Sequence, residues 1–181
     1  MEFATPVRNQ LELAVQRAFA IRKPIVARLA LLGVVLCASR CLAIDITVTG
    51  DWLFTSSAGD LVAGAGTDLP NAYESDMAQA ALTVSNTTGD TDNWRIDVRR
   101  SDTNWLAGLA LFVRRTGDAV GGGSISGGIS YLEVTSSDSA FISGSGDRVG
   151  IDVQLKVSGT SISIAPDTYS TLIVYKVVDT S

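Results

Sequence analysis

Residues 163–181 read SIAPDTYSTLIVYKVVDTS. In an extended backbone successive side chains point to opposite faces. Tyr169, Thr171, Ile173, Tyr175 and Val177 therefore share one face, and Leu172, Val174 and Val178 the other. A strand apolar on both faces belongs inside a sheet whose two surfaces are both covered. It needs neighbours on either side, supplied by this chain or by another.

Working outward, Val149, Ile151, Val153, Leu155 and Val157 alternate with Gly150, Asp152, Gln154 and Lys156, the pattern of a half-buried strand. Ser158-Gly159-Thr160 reads as a turn, Ile162 and Ile164 mark a short strand, and Ala165-Pro166-Asp167 turns into the last strand. Toward the N-terminus, IDITVT at 44–49 alternates strictly, and Trp52-Leu53-Phe54 and a polar, glycine-dotted stretch follow it. Residues 77–84 open as a helical turn or as a strand. No helix of any length is encoded. Short strands with Gly, Ser, Asn and Asp punctuation predict an all-β fold, an Ig-like antiparallel β-sandwich over residues 44–181. Tyr169 stands at the entry to a buried strand, where sandwich domains carry a corner tyrosine whose hydroxyl ties down the preceding turn.

The spacing also predicts a hairpin of residues 93–100 with 105–115 around the loop Ser101-Asp102-Thr103-Asn104. With Arg100 opposite Trp105, Ile96 meets Leu109, Trp94 meets Leu111 and Arg115 meets Asp90. Asp97 then faces solvent, and Asp97→Asn is expected to be nearly neutral.

Residues 1–43 are set apart as a targeting segment. Leu29 to Ala38 is an apolar run preceded by Arg22, Lys23 and Arg28 and followed by Ser39-Arg40-Cys41-Leu42-Ala43. That is the plan of a secretory signal peptide cleaved after Ala43, and about 20 apolar residues would be needed to span a bilayer. Lipidation at Cys37 or Cys41 fits less well, because Leu36 and Arg40 precede them. Residues 1–28 are long for a basic flank: Leu11, Val15, Ala18, Phe19 and Arg22 fit an amphipathic transit helix, Glu2 and Glu12 argue against it, and a start site placed too early is the favoured reading. The expectation is Sec-type export to the cell surface with no stable membrane insertion.

Residues 44–181 hold 17 acidic and 8 basic residues, a net charge of −9, and neither Cys nor His. Such a balance repels nucleic acid and anionic membranes. The domain stands without a disulfide. A nucleophilic triad has no base, so no enzyme activity is expected. Asn86, Asp90 and Asp92 do not follow the order of a calcium loop and read as turn residues, although Asn86-Thr87-Thr88 is a glycosylation sequon. Residues 117–130 hold six glycines without a phosphate-loop ending, and read as a mobile hairpin tip or a bulged edge. Glu74 with Asp76, or Glu133 with Asp138, could supply a carboxylate pair for glycoside hydrolysis, but no spacing selects either. Trp52, Trp94 and Trp105 allow a sugar-stacking platform; core packing, with Trp105 stacked on Arg100, is the favoured reading. No cofactor or metal is implied.

The run from Ala165 to Val177, small residue, Thr168, Tyr169 and then an alternating valine-rich strand, resembles the C-terminal strand of chaperone–usher pilins and spore-coat-U-like subunits. The two preceding strands fit as well. Asp167 stands where those proteins have Gly, and the disulfide usual in them is absent. The resemblance implies a sandwich lacking a strand, filled by a neighbour's N-terminal segment as β-augmentation. On it, Ile44, Ile46 and Val48 are the candidate donor strand, the partners are further copies in a head-to-tail filament together with a periplasmic chaperone, and the function is that of a pilus-like structural subunit. The alternative is a secreted carbohydrate- or surface-binding module that does not polymerise.

Overall fold

The computed structural model describes residues 2–5 and 43–181. The apolar run Leu29–Ala38, Cys37 and Cys41 lie outside the described residues. Among the described residues twelve strands run in chain order: β1 (Glu2–Thr5), β2 (Asp45–Thr49), β3 (Trp52–Thr55), β4 (Ala72–Glu74), β5 (Ala80–Ser85), β6 (Asn93–Asn104), β7 (Ala110–Arg115), β8 (Ile125–Gly127), β9 (Leu132–Glu133), β10 (Ser139–Ser145), β11 (Arg148–Ser158) and β12 (Thr168–Asp179). They form two sheets, ordered β3-β1-β12-β6-β10-β8 and β2-β5-β11-β7-β9, with β4 beside β11. The fold is an all-β antiparallel sandwich. Its one parallel pair among the described strands is β1 with β12. Among the described strands no two that follow one another in the chain pair with each other. The chain passes from sheet to sheet instead, as at Gly50, where a positive φ of 99° turns β2 out of one sheet and β3 into the other.

The core lies between the sheets. Trp94, Ile96, Val98, Ile142, Ile173 and Tyr175 enter from one side, and Leu82, Val84, Leu111, Val113, Ile151 and Leu155 from the other. The alternation that predicted β11 holds from Ile151 onward and fails at its start. A bulge between Arg148 and Ile151, with Gly150 at φ 75°, reverses the faces there. Arg148 turns in and Val149 turns out, 60 % exposed.

The predicted hairpin does not form. β6 does not stop at Arg100 but continues through Ser101–Asn104 and pairs with β12 and β10, whereas β7 pairs with β11 in the opposite sheet. Ile96 and Leu109 are both buried, but they enter the core from separate elements. Facing partners across a sandwich and across a hairpin produce the same period in the sequence, so periodicity could not separate them. Two consequences of the register fall with it. Arg115 pairs with Asp118 rather than Asp90, and Asp97 is buried, bound at its two oxygens by Arg95 at 2.6 and 3.0 Å.

Two further segments differ from expectation. Residues 160–164 form a turn rather than a strand. It is held by Asp68, which accepts from the backbone N–H of Ile162 at 2.7 Å and of Leu69 at 2.8 Å. These bonds hold the Asp68 carboxyl below its ordinary pKa. The glycine-rich segment is strapped to the domain. The Arg115 Nε donates to the Gly127 carbonyl at 2.9 Å, Arg148 donates to the Gly123 carbonyl at 2.5 Å, and Ser145 N–H donates to the Ser124 carbonyl at 2.9 Å.

Candidate functional site

β12 carries the site. Its odd-numbered residues Tyr169, Thr171, Ile173 and Tyr175 are buried, while Leu172, Val174 and Val178 on the outer face are half-buried. One side of the strand is paired with β6 from Ser170 to Asp179. The other side is paired with β1 only at Thr168, Tyr169 and Ser170. Beyond Ser170 no described strand pairs with that side. This is a central strand by composition and an edge strand by pairing.

The position of β12 is fixed at both ends. The Tyr169 hydroxyl donates to the Ala165 carbonyl at 2.8 Å, across the turn that feeds the strand. Asn104 donates to the Thr168 carbonyl at 2.7 Å, and the Thr171 hydroxyl donates to Asp102 at 2.8 Å. At the far end Thr180 N–H donates to the Asn93 carbonyl at 3.0 Å, and the Ser181 hydroxyl donates to Asp92 at 2.7 Å. Bonds from the Thr88 N–H and from Ser181 hold the Asp92 carboxyl below its usual range. Since the side-chain period of a strand is 2, these anchors also fix which face of β12 meets the core.

Beyond β1, beside Thr168–Ser170, stands β3. It meets β12 only through β1, with Leu53 paired to Ala4 and Phe54 to Phe3. Phe54 stacks on Tyr73 with ring centroids 4.1 Å apart, and burial raises the Tyr73 hydroxyl pKa. Leu53 points outward and is 58 % exposed.

The candidate donor residues lie in the chain's own domain. β2 pairs with β5 from Asp45↔Ser85 to Thr49↔Ala81. Ile46 is buried, and Ile44 and Val48 pack against the core half-buried. Strict alternation finds a half-buried strand without saying whose sheet it joins. β2 is still an outer strand, bonded to β5 alone among the described strands.

The remaining candidates are dispersed. Trp52 and Trp94 are buried, and Trp94 donates to the Gly146 carbonyl at 2.8 Å. Trp105 is half-buried under Arg100, 5.6 Å from its ring centroid, and donates to the Leu109 carbonyl. The three indoles present no common platform. Asn86 donates to Asp45, Asp92 serves the end of β12, and Asp138 sits between Arg99 at 3.3 Å and Lys176 at 3.6 Å. Glu74 and Glu133 stand on the separate strands β4 and β9.

One buried group on β12 gives a direct prediction. The Tyr175 hydroxyl has no hydrogen-bond partner among the described residues, and burial pushes its pKa well above the ordinary 10.0. A phenol left unbonded in a core costs free energy, so Tyr175→Phe should be neutral or stabilising by up to about 1 kcal/mol at pH 8. The unfolded chain releases this proton from pH 10 upward while the folded chain retains it. Stability should therefore fall above pH 10, and less steeply in the variant. Urea midpoints at pH 8 and at pH 11 measure both effects; a variant clearly weaker at pH 8 would mean that the hydroxyl is bonded.

Comparison with protein-family models, with curated proteins and with solved structures finds no match to this chain.

Proposed function

We propose that the chain is an exported structural subunit whose β12 edge takes a strand from a neighbouring copy, so that copies link head to tail into a cell-surface filament. One observation carries this reading. β12 has the composition of a central strand and is anchored at both ends, yet from Thr171 onward its side away from β6 has no described strand. An open apolar edge invites pairing with another chain, and natural domains cover such edges. Main-chain hydrogen bonds along β12 supply affinity, and alternate side chains of the incoming strand supply specificity. Donation from one copy to the next does not close on itself, so the product is a fibre.

Ile44–Thr49 is the first donor to test, because it is the segment that the alternation singles out and β5 alone pairs with it among the described strands. Purified residues 44–181 are expected to form fibres at high concentration, seen by negative-stain microscopy. A monomer at every concentration would overturn the filament and leave the binding-module alternative, to be probed on carbohydrate affinity gels. The donor is tested by a lock. Thr47 and Thr83 are register partners on β2 and β5, and the domain has no native cysteine. Oxidised Thr47→Cys/Thr83→Cys protein cannot release β2. If 44–49 is the donor, the oxidised protein should form no fibres and reduction should restore them. Fibres from the oxidised protein would assign donation to another segment.

A further inference from the structure

We infer that Glu2–Thr5 is a built-in cap on the β12 edge, which keeps the unprocessed chain from assembling and leaves with the targeting segment. This rests on the filament reading for its consequence, though not for its geometry. In the sheet order β3-β1-β12, the four residues of β1 are the only described link between β3 and β12. They use both of their edges. Glu2, Phe3 and Ala4 stand parallel to Thr168, Tyr169 and Ser170, and Glu2 to Thr5 stand antiparallel to Thr55 through Trp52.

A strand bonded on both sides occupies its slot completely. A strand that pairs with β12 along its whole length, from Thr168 to Asp179, must displace it; Thr171–Asp179 themselves lie outside its reach. The cap also has a natural end, because Pro6 follows Thr5 and carries no N–H for the ladder. It covers the mouth of the slot and leaves the edge from Thr171 without a described partner.

Being part of the same chain, the cap meets its slot as an intramolecular partner, at an effective concentration that a strand from another copy must exceed. Cleavage after Ala43 would separate the cap from the domain. A precursor that folds before export would then stay single, and processing would open the edge. The signal that directs export thus doubles as the block on premature polymerisation.

The test compares full-length protein, a full-length variant with Phe3→Pro, and residues 44–181. In a strand paired on both sides every N–H faces one neighbour or the other, so Phe3→Pro removes a ladder bond whichever way that N–H points. Hydrogen exchange reports the cap without reference to fibres. Amides of β3 and of Thr168–Ser170 should exchange about tenfold or more faster in the variant and in residues 44–181 than in the full-length chain. Light scattering should show full-length protein single where residues 44–181 assemble, with the variant following the latter. Equal exchange in all three proteins would overturn the cap. If residues 44–181 never assemble, the filament reading falls, and exchange alone decides whether the cap exists.

Discussion

Ile96→Asp is expected to prevent folding. Ile96 is fully buried at the centre of β6, in register with Ile142 on β10 and Val177 on β12. An aspartate there would bring a carboxylate between the apolar register partners Ile142 and Val177. Burying an unpaired charge costs about 4 kcal/mol or more, a large part of the 5–15 kcal/mol that holds an ordinary domain together. The expected result is insoluble protein, or soluble protein without a cooperative urea transition. The neighbouring change separates face from position. Asp97 lies on the opposite face and is nonetheless buried, with its carboxylate gripped by Arg95. Asp97→Asn keeps the shape and loses the charge pairing, and should cost about 1–2 kcal/mol with the transition intact. This replaces the near-neutral outcome expected when residues 93–115 are read as a hairpin. A cooperative, native-like Ile96→Asp protein would mean that β6 does not present this face to the core.

Gly123→Ala is the second large effect. Gly123 has φ 70°, and a Cβ placed on it would lie 2.2 Å from the Ser145 carbonyl oxygen and 2.6 Å from the Ser145 carbonyl carbon. Neither partner is a flexible side-chain end, so the strap must lift. Lifting it breaks the Arg148 bond to the Gly123 carbonyl and the paired bonds between Ser124 and Ser145, and Arg148 is itself buried. A left-handed backbone at a residue with a side chain costs about 1–3 kcal/mol by itself, and the lost contacts raise the expected total to about 2–4 kcal/mol. Gly108→Ala is the control: nothing lies within 4 Å of its added Cβ and its φ is not positive. That variant should be neutral or slightly more stable. Urea midpoints for the pair decide it, and equal midpoints would show that the glycine-rich segment is not strapped down.

The sequence made some of this architecture legible through chemistry that acts locally. The period of 2 in residues 169–177 marked a strand, and Tyr169 marked the corner whose hydroxyl reaches Ala165; of the two covered faces expected, one is buried and the other, at Leu172, Val174 and Val178, is half-buried. Trp105 and Arg100 stack as their types suggest. What stayed hidden was assignment between sheets. Alternation in residues 93–100 and 110–115 is the same whether the two strands are hydrogen-bonded or face each other across a core. Single-residue irregularities were hidden too. The bulge at Gly150 exchanges the faces of Arg148 and Val149, and alternation gives no sign of it. The candidate site depends on such an assignment. That β12 is apolar on both faces could be read, and that one of its sides has no described strand beyond Ser170 required the pairing.

The absence of pairing between consecutive strands also sets the order of events during synthesis. A chain with hairpins can consolidate them one by one as it emerges. Here β6 is complete at Asn104, and its longest partner, β12, ends 75 residues later, at Asp179. At roughly 5–20 residues per second that is a wait of about 4–15 s in which the edge of β6 that β12 will cover has no partner. Distant partners also make closure slow once both are present. β12 is therefore the last strand to enter its sheet, and it joins β6 only when the chain has been made to Asp179. Over those seconds the edge of β6 that β12 will cover is open to pairing with another strand.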